Sequence, residues 1–168
     1  YYIHTPGHLT RKTTFIYKIS PIDAERFKGR DDLDESDLTG HEDMARIHWH
    51  MNLISSSKLV YNGTTVDLDV FMPKKAFWKS SRAFTGPDGR TYVWHESLGA
   101  CHVNLEDGNN PTVKVAEYKQ RNIFKGEKPY LEIYPEGEHM ADLIVITWLY
   151  YETRRRRRKQ NAGAAASA

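Results

Sequence analysis

The chain has a single cysteine, Cys101, in 168 residues. No intrachain disulfide can form, so the sequence makes no use of an oxidising compartment, and an intracellular protein is expected. It also lacks an apolar run long enough to span a bilayer. The stretch from Leu143 to Tyr151 is almost wholly apolar, but as a helix it would cover about 14 Å of roughly 30 Å of hydrocarbon. No transmembrane span is expected. Missing too are the G-x-S-x-G elbow, the phosphate-binding P-loop and the G-x-G-x-x-G fingerprint, and with them the commonest sequence signs of a hydrolase, a nucleotidase or a dinucleotide enzyme. No enzymatic activity and no cofactor are read from the chain. No signal peptide is visible, although a start at Tyr1 rather than Met leaves room for a removed leader. Asn62-Gly63-Thr64 fits a glycosylation acceptor, yet Asn-Gly is also the strongest short hairpin signal, and the turn reading is preferred.

What is present describes a folded β-rich protein. The length fits one domain that buries roughly two thirds of its unfolded surface, and ten tyrosines with four tryptophans argue against disorder. The net charge of +2 conceals two blocks. Arg154 to Lys159 carries six positive charges, which leaves 18 basic against 22 acidic side chains elsewhere, a net of −4. Seven of those acids fall in "DDLDESDLTGHED", Asp31 to Asp43, which contains no Lys or Arg. Blocks of this kind read as solvated loops or tails.

Period-2 alternation recurs along the chain. It predicts strands at Tyr1 to Thr5, Thr13 to Ile19, Ala45 to Ile54, His102 to Glu106, Val113 to Lys119 and Tyr130 to Tyr134, with hairpins in "KLVYNGTTVDLDVFM" and "SRAFTGPDGRTYVWH". In "ARIHWHMNLI", Ile47, Trp49, Met51 and Leu53 share one face, while Arg46, His48, His50 and Asn52 share the other. Nine or ten short strands indicate an antiparallel sandwich or barrel. The exception is Met140 to Thr153, where Leu143, Ile144, Val145, Ile146, Trp148 and Leu149 point all round a helical wheel. A helix apolar on every side must be surrounded by protein or lipid, and its length leaves protein. Burial of those six side chains would contribute on the order of 10 kcal/mol before ordering costs. Glu138 and Asp142 near its start and the arginines near its end suit the helix dipole.

"TTFIYKI", "ARIHWH", "KLVYNG", "SSRAFTGPDGRTYVW", "YLEIYPEG" and "DLIVITWLYYETRRRRR", in this order, resemble an uncharacterised fungal family, domain of unknown function 6593, over about Tyr1 to Arg158. The architecture also looks like the tubby and scramblase class, in which a β-barrel encloses a C-terminal helix. That likeness implies a mainly β, antiparallel barrel-like domain over residues 1–153 with the apolar helix at its centre from about residue 139, followed by a flexible basic, then Ala-rich tail over 154–168. Tubby-type domains bind phosphoinositides at a basic patch. Fold does not determine function, and no motif here aligns with theirs.

Each candidate site has a plain structural reading beside it. Ser97 follows His95, but adjacency in sequence makes no triad. His48 and His50 share a strand face, yet two ligands are not a zinc site, and Cys101-His102 cannot be brought to them from sequence. A calcium loop from Asp32 would place Asp37 where glycine belongs and Asp43 where glutamate belongs. These read as ordinary polar residues, and no metal is expected.

Two basic features carry more. "PKKAFWKSSR" joins Lys74, Lys75, Lys79 and Arg82 to Phe77 and Trp78, as membrane-surface sites do, or is a solvated hairpin connection. The run Arg154, Arg155, Arg156, Arg157, Arg158 and Lys159 is a solubilising helix end, an anionic-lipid contact worth up to about 1 kcal/mol per residue, or a nucleic-acid or nuclear-targeting element. The net-negative body, with no recognition helix or stacking platform in view, disfavours nucleic acid. The reading is a non-enzymatic binding or scaffolding domain meeting anionic phospholipid, in the cytoplasm or at a membrane surface. A nuclear, nucleic-acid-associated protein and a small-ligand binder or enzyme with an unseen pocket are the alternatives. The arginines are expected to be separable, so that a chain ending after Thr153 still folds.

Overall fold

The fold is described from a computed structural model, which describes residues 1–6, 13–28, 30, 33, 36–50, 56–75, 80–97, 100–106, 108, 112–120 and 129–166. The chain divides into two compact units, Tyr1–Val70 and Phe71–Ala168, where the sequence suggests one domain.

The first unit is a five-stranded antiparallel meander, β1 (Tyr2–His4), β2 (Thr13–Lys18), β3 (Glu42–His48), β4 (Lys58–Tyr61) and β5 (Thr64–Asp67), paired in that order. Alternation decides its faces. Ile16, Ala45, Ile47 and Leu59 are buried, while Phe15, Tyr17 and Arg46 point the other way. Trp49 is buried and its indole Nε1 donates to Thr14 Oγ1 at 2.7 Å, which satisfies a polar atom inside the apolar side. The β4–β5 turn is Asn62-Gly63 with φ of 49° and 70°, the left-handed pair that a type I′ hairpin requires. A short helix, α1 (Pro21–Arg26), was not anticipated. Its signal was present all the same: Ser20 caps it, accepting from the Asp23 amide at 3.1 Å, and Pro21 opens it. A second short helix, α2 (Leu68–Phe71), replaces the end of the second hairpin strand. In the acidic segment, Leu33 and Leu38 are buried and Glu42 and Asp43 open β3, so part of it is structure rather than solvated loop. Asp31, Asp32, Asp34 and Glu35 lie outside the described residues, as do Met51, Asn52, Leu53 and Ile54 of the expected third strand.

The second unit is another five-stranded antiparallel meander: β6 (Arg82–Thr85), β7 (Thr91–Ser97), β8 (Ala100–Leu105), β9 (Lys114–Lys119) and β10 (Tyr130–Ile133). A 3-10 turn, Pro135–Met140, leads into α3 (Ala141–Ala166). Gly137 makes that approach possible. A Cβ there would lie 2.6 Å from the Val115 carbonyl oxygen and 2.8 Å from Ile144 Cδ1.

Helix α3 packs on one face of this sheet. Trp94 Nε1 donates to Thr147 Oγ1 at 3.0 Å, Thr147 donates in turn to the Leu143 carbonyl at 2.7 Å, and the Trp94 ring stacks on Tyr151 at 5.8 Å. Trp148 meets Tyr118 of β9 at 5.1 Å.

Three expectations change. The chain is mainly β as read, but among the described residues no closed barrel forms. Each sheet is open, with β1 and β5 at the edges of one and β6 and β10 at the edges of the other. Alternation is the same in an open sheet and in a barrel, and closure depends on pairing the first strand with the last, which leaves no local signature. Second, the helix is not uniformly buried. Ile144, Val145 and Ile146 are buried, while Leu143, Trp148 and Leu149 keep part of their surface, as fits a helix laid on the face of an open sheet. Third, residues 154–166, read as a tail, are the continuation of α3.

Candidate functional site

The basic run is built into the fold by two carboxylates. Glu152, one turn earlier on α3, is 3% exposed and accepts from Arg155 Nε at 2.6 Å, Arg155 Nη2 at 3.0 Å and Arg156 Nε at 2.8 Å. Burial alone would raise its carboxyl, but the hydrogen bonds from Arg155 and Arg156 outweigh that and hold it below the usual range. Glu96, near the end of β7, faces Arg155 Nη1 at 3.8 Å, Arg158 Nη2 at 3.4 Å and Lys159 Nζ at 3.3 Å. Arg156 also donates from Nη2 to the Tyr118 hydroxyl at 3.3 Å. On another side of the helix, Arg154 and Arg82 both lie over the buried Tyr150 ring, at 5.8 and 5.2 Å. Burial, then the nearby Arg154, lowers the proton affinity of Arg157.

The six cations are therefore not equivalent. Arg155 is 1% exposed and structural, whereas Arg156, Arg158 and Lys159 leave 62%, 43% and 55% of their side chains in solvent. Sequence reasoning missed Glu96 and Tyr118. Glu152 could have been found, because it precedes Arg155 and Arg156 at three and four residues, the spacing that faces side chains together on a helix.

Among the described residues of the Lys74 to Arg82 stretch, the cations are not equivalent. Arg82 is 2% exposed, with Nη1 donating to the Met72 carbonyl at 2.5 Å. Lys75 is ion-paired with Glu106. Lys74 stands opposite Arg82 in a single β-bridge and is exposed. Lys79, Phe77 and Trp78 lie outside the described residues.

The remaining candidates separate. Among the described residues no three His, Cys, Asp or Glu side chains gather as a metal site would need. His48 bonds Thr13 Oγ1 through Nδ1 at 3.0 Å. His95 stacks on His102 at 5.5 Å and meets Ser81 Oγ at 3.4 Å. Asp37 pairs with Arg30 at 3.1 Å. Cys101 is fully buried, and burial, followed by the Glu152 charge, pushes its thiol up to about 12. Among the described residues no helix is long and apolar enough to cross a membrane.

Residues 1–157 match a family described as a family of unknown function, DUF6593, and the chain belongs to it. Neither a curated protein nor a solved structure matches the chain.

Proposed function

We propose that this DUF6593 member is a non-enzymatic binding or scaffolding domain that meets anionic membrane lipid through the outward cations of α3. The observation that supports it is the way the basic run is held. Six cations stand on a helix whose inner side is docked through Arg155, and Arg156, Arg158 and Lys159, though paired with Glu152 or Glu96, keep roughly half of their side chains in solvent. Arg156, Arg158 and Lys159 face solvent, where an anionic leaflet adds up to about 1 kcal/mol per basic residue. A domain of this kind would work in the cytoplasm at a membrane surface.

The test is co-sedimentation of the full chain with neutral vesicles and with vesicles containing about 20 mol % phosphatidylserine, at low and at high salt, with a short DNA duplex as a second arm. Arg158→Gln with Lys159→Gln touches only the exposed partners of Glu96. The pair is expected to weaken binding to acidic vesicles about ten-fold at low salt, with little difference at high salt. Absence of binding to acidic vesicles would end this reading, and preferential binding to DNA would favour the nuclear one.

A further inference from the structure

Glu96 and Glu152 face the same basic run, but they hold it differently. Glu152 is buried and accepts from Arg155 at 2.6 and 3.0 Å and from Arg156 at 2.8 Å. Removing that carboxylate would leave a buried guanidinium unpaired, so it belongs to the fold. Glu96 stands near the end of β7, opposite Cys101 of β8 in register, and reaches the basic half of α3. Its Oε1 lies 3.3 Å from Lys159 Nζ and 3.8 Å from Arg155 Nη1, and its Oε2 accepts from Arg158 Nη2 at 3.4 Å.

These contacts are exchangeable. All three are longer than the roughly 2.7–2.9 Å of a well-formed charge-assisted hydrogen bond, because one carboxylate is divided among three cations. The Glu96 side chain is 27% exposed, and those of Arg158 and Lys159 are more exposed still, so water already reaches the pairs. Ion pairs in such surroundings add little to stability. Arg155 keeps its two-pronged contact with Glu152, so the anchor of the helix does not depend on Glu96.

The helix presents the cations as a set. Arg155, Arg158 and Lys159 are spaced by three and four residues, which puts them on one helix face. An anion that meets Arg158 and Lys159 must share or displace the carboxylate that bridges them. A lipid phosphate brings more acceptor oxygens, and an anionic leaflet adds the attraction of its neighbouring headgroups, so the exchange is favoured at the membrane.

We propose that Glu96 is a built-in competitor for anionic lipid. By bridging Arg158 and Lys159 it holds down the affinity of the basic helix, and binding exchanges its carboxylate for headgroup phosphate. The inference rests on the lipid reading of α3 and names what limits it.

The experiment measures co-sedimentation of the full chain with vesicles containing about 20 mol % phosphatidylserine at about 0.1 M salt, where the Debye length is about 10 Å. Glu96→Gln keeps the size of the side chain and removes its charge. It is expected to bind about five-fold tighter or more, the gain from releasing at least one basic residue. Glu136→Gln, at an exposed glutamate ahead of α3, changes the net charge equally. About 25 Å of helix separates Ala141 from Arg158, so this control should change binding less than about two-fold. With Arg158→Gln and Lys159→Gln already in place, Glu96→Gln should lose most of its effect, which a general change of charge would not. Glu96→Ala gives the same reading should Glu96→Gln fail to fold. Binding that Glu96→Gln leaves unchanged or weakens overturns the inference and spares the lipid reading. An equal gain in Glu136→Gln, or an undiminished gain without Arg158 and Lys159, overturns it as well. Should neither the full chain nor Glu96→Gln bind, both fall.

Discussion

The Arg155 guanidinium grips the Glu152 carboxylate two-pronged, Nε to Oε2 at 2.6 Å and Nη2 to Oε1 at 3.0 Å, with both side chains almost fully buried. The pair joins the apolar half of α3 to its basic half. It also decides where the basic run stops being structure and starts being surface.

A chain ending after Thr153 is expected from the sequence still to fold, and the buried pair argues that it does so with much reduced stability. Such a chain keeps Glu152 but loses Arg155 and Arg156, and an unpaired buried charge costs about 3–5 kcal/mol, a large share of the 5–15 kcal/mol typical of a domain. Truncation after Lys159 leaves the network whole. Urea unfolding should show the shorter chain severely destabilised and the longer one near the full chain, and equal stability of the two would sink the anchoring role of the pair.

The pair also sets a pH dependence. Glu152 is held below its usual 4.5 in the folded chain, so as pH falls the unfolded chain takes up the proton first. Its contribution is complete above about pH 5 and is lost as pH drops through the folded value. The stability gap between the native chain and Glu152→Gln should be widest near neutral pH and should narrow steadily below about pH 4.5.

Arg82 and Lys74 sit side by side but should respond differently. Arg82→Gln gives up a buried charged hydrogen bond to Met72 and the stacking on Tyr150, a loss of about 2 kcal/mol or more. Lys74→Gln removes an exposed charge and should shift thermal unfolding by no more than about 0.5 kcal/mol equivalent. Comparable melting temperatures for the two variants would contradict the buried placement of Arg82.

Gly137→Ala forces a methyl group against the Val115 carbonyl and Ile144. Overpacking of this kind costs about 1–3 kcal/mol, and the helix entry would have to shift. A lowered unfolding midpoint with unchanged denaturant slope is the expected readout.

Cys101 offers a reagent test. Its thiol, pushed up to about 12 and fully buried, should be almost entirely protonated at pH 8 and unreactive toward an aromatic disulfide while the chain is folded. It should react promptly in denaturant. Fast native-state labelling would show that the sheet face under α3 opens.

Much of the secondary structure was legible because its causes are local. Thr13 to Lys18 alternates, Asn62-Gly63 can take up positive φ, and Leu143 to Tyr151 has no period-2 pattern, so strand, turn and helix followed from neighbours in sequence. The candidate site was far less legible. Arg82 reads as one more cation in "PKKAFWKSSR", and nothing in that segment says that its strand turns it inward. Long-range pairing was hidden for the same reason: Tyr2 and Tyr17 become neighbours only through the β1–β2 register.

By itself the sequence determined which segments are strands, where two of the turns fall, that one helix is apolar enough to need a partner, and that charge is concentrated in two blocks, since these depend on residues a few positions apart. The tertiary structure alone decided that the described strands form open sheets, that Glu96 reaches Arg158 across 62 residues, and which cations are buried and which keep their side chains in solvent. Those outcomes depend on strand register and helix docking, which bring distant side chains together and which no local pattern records.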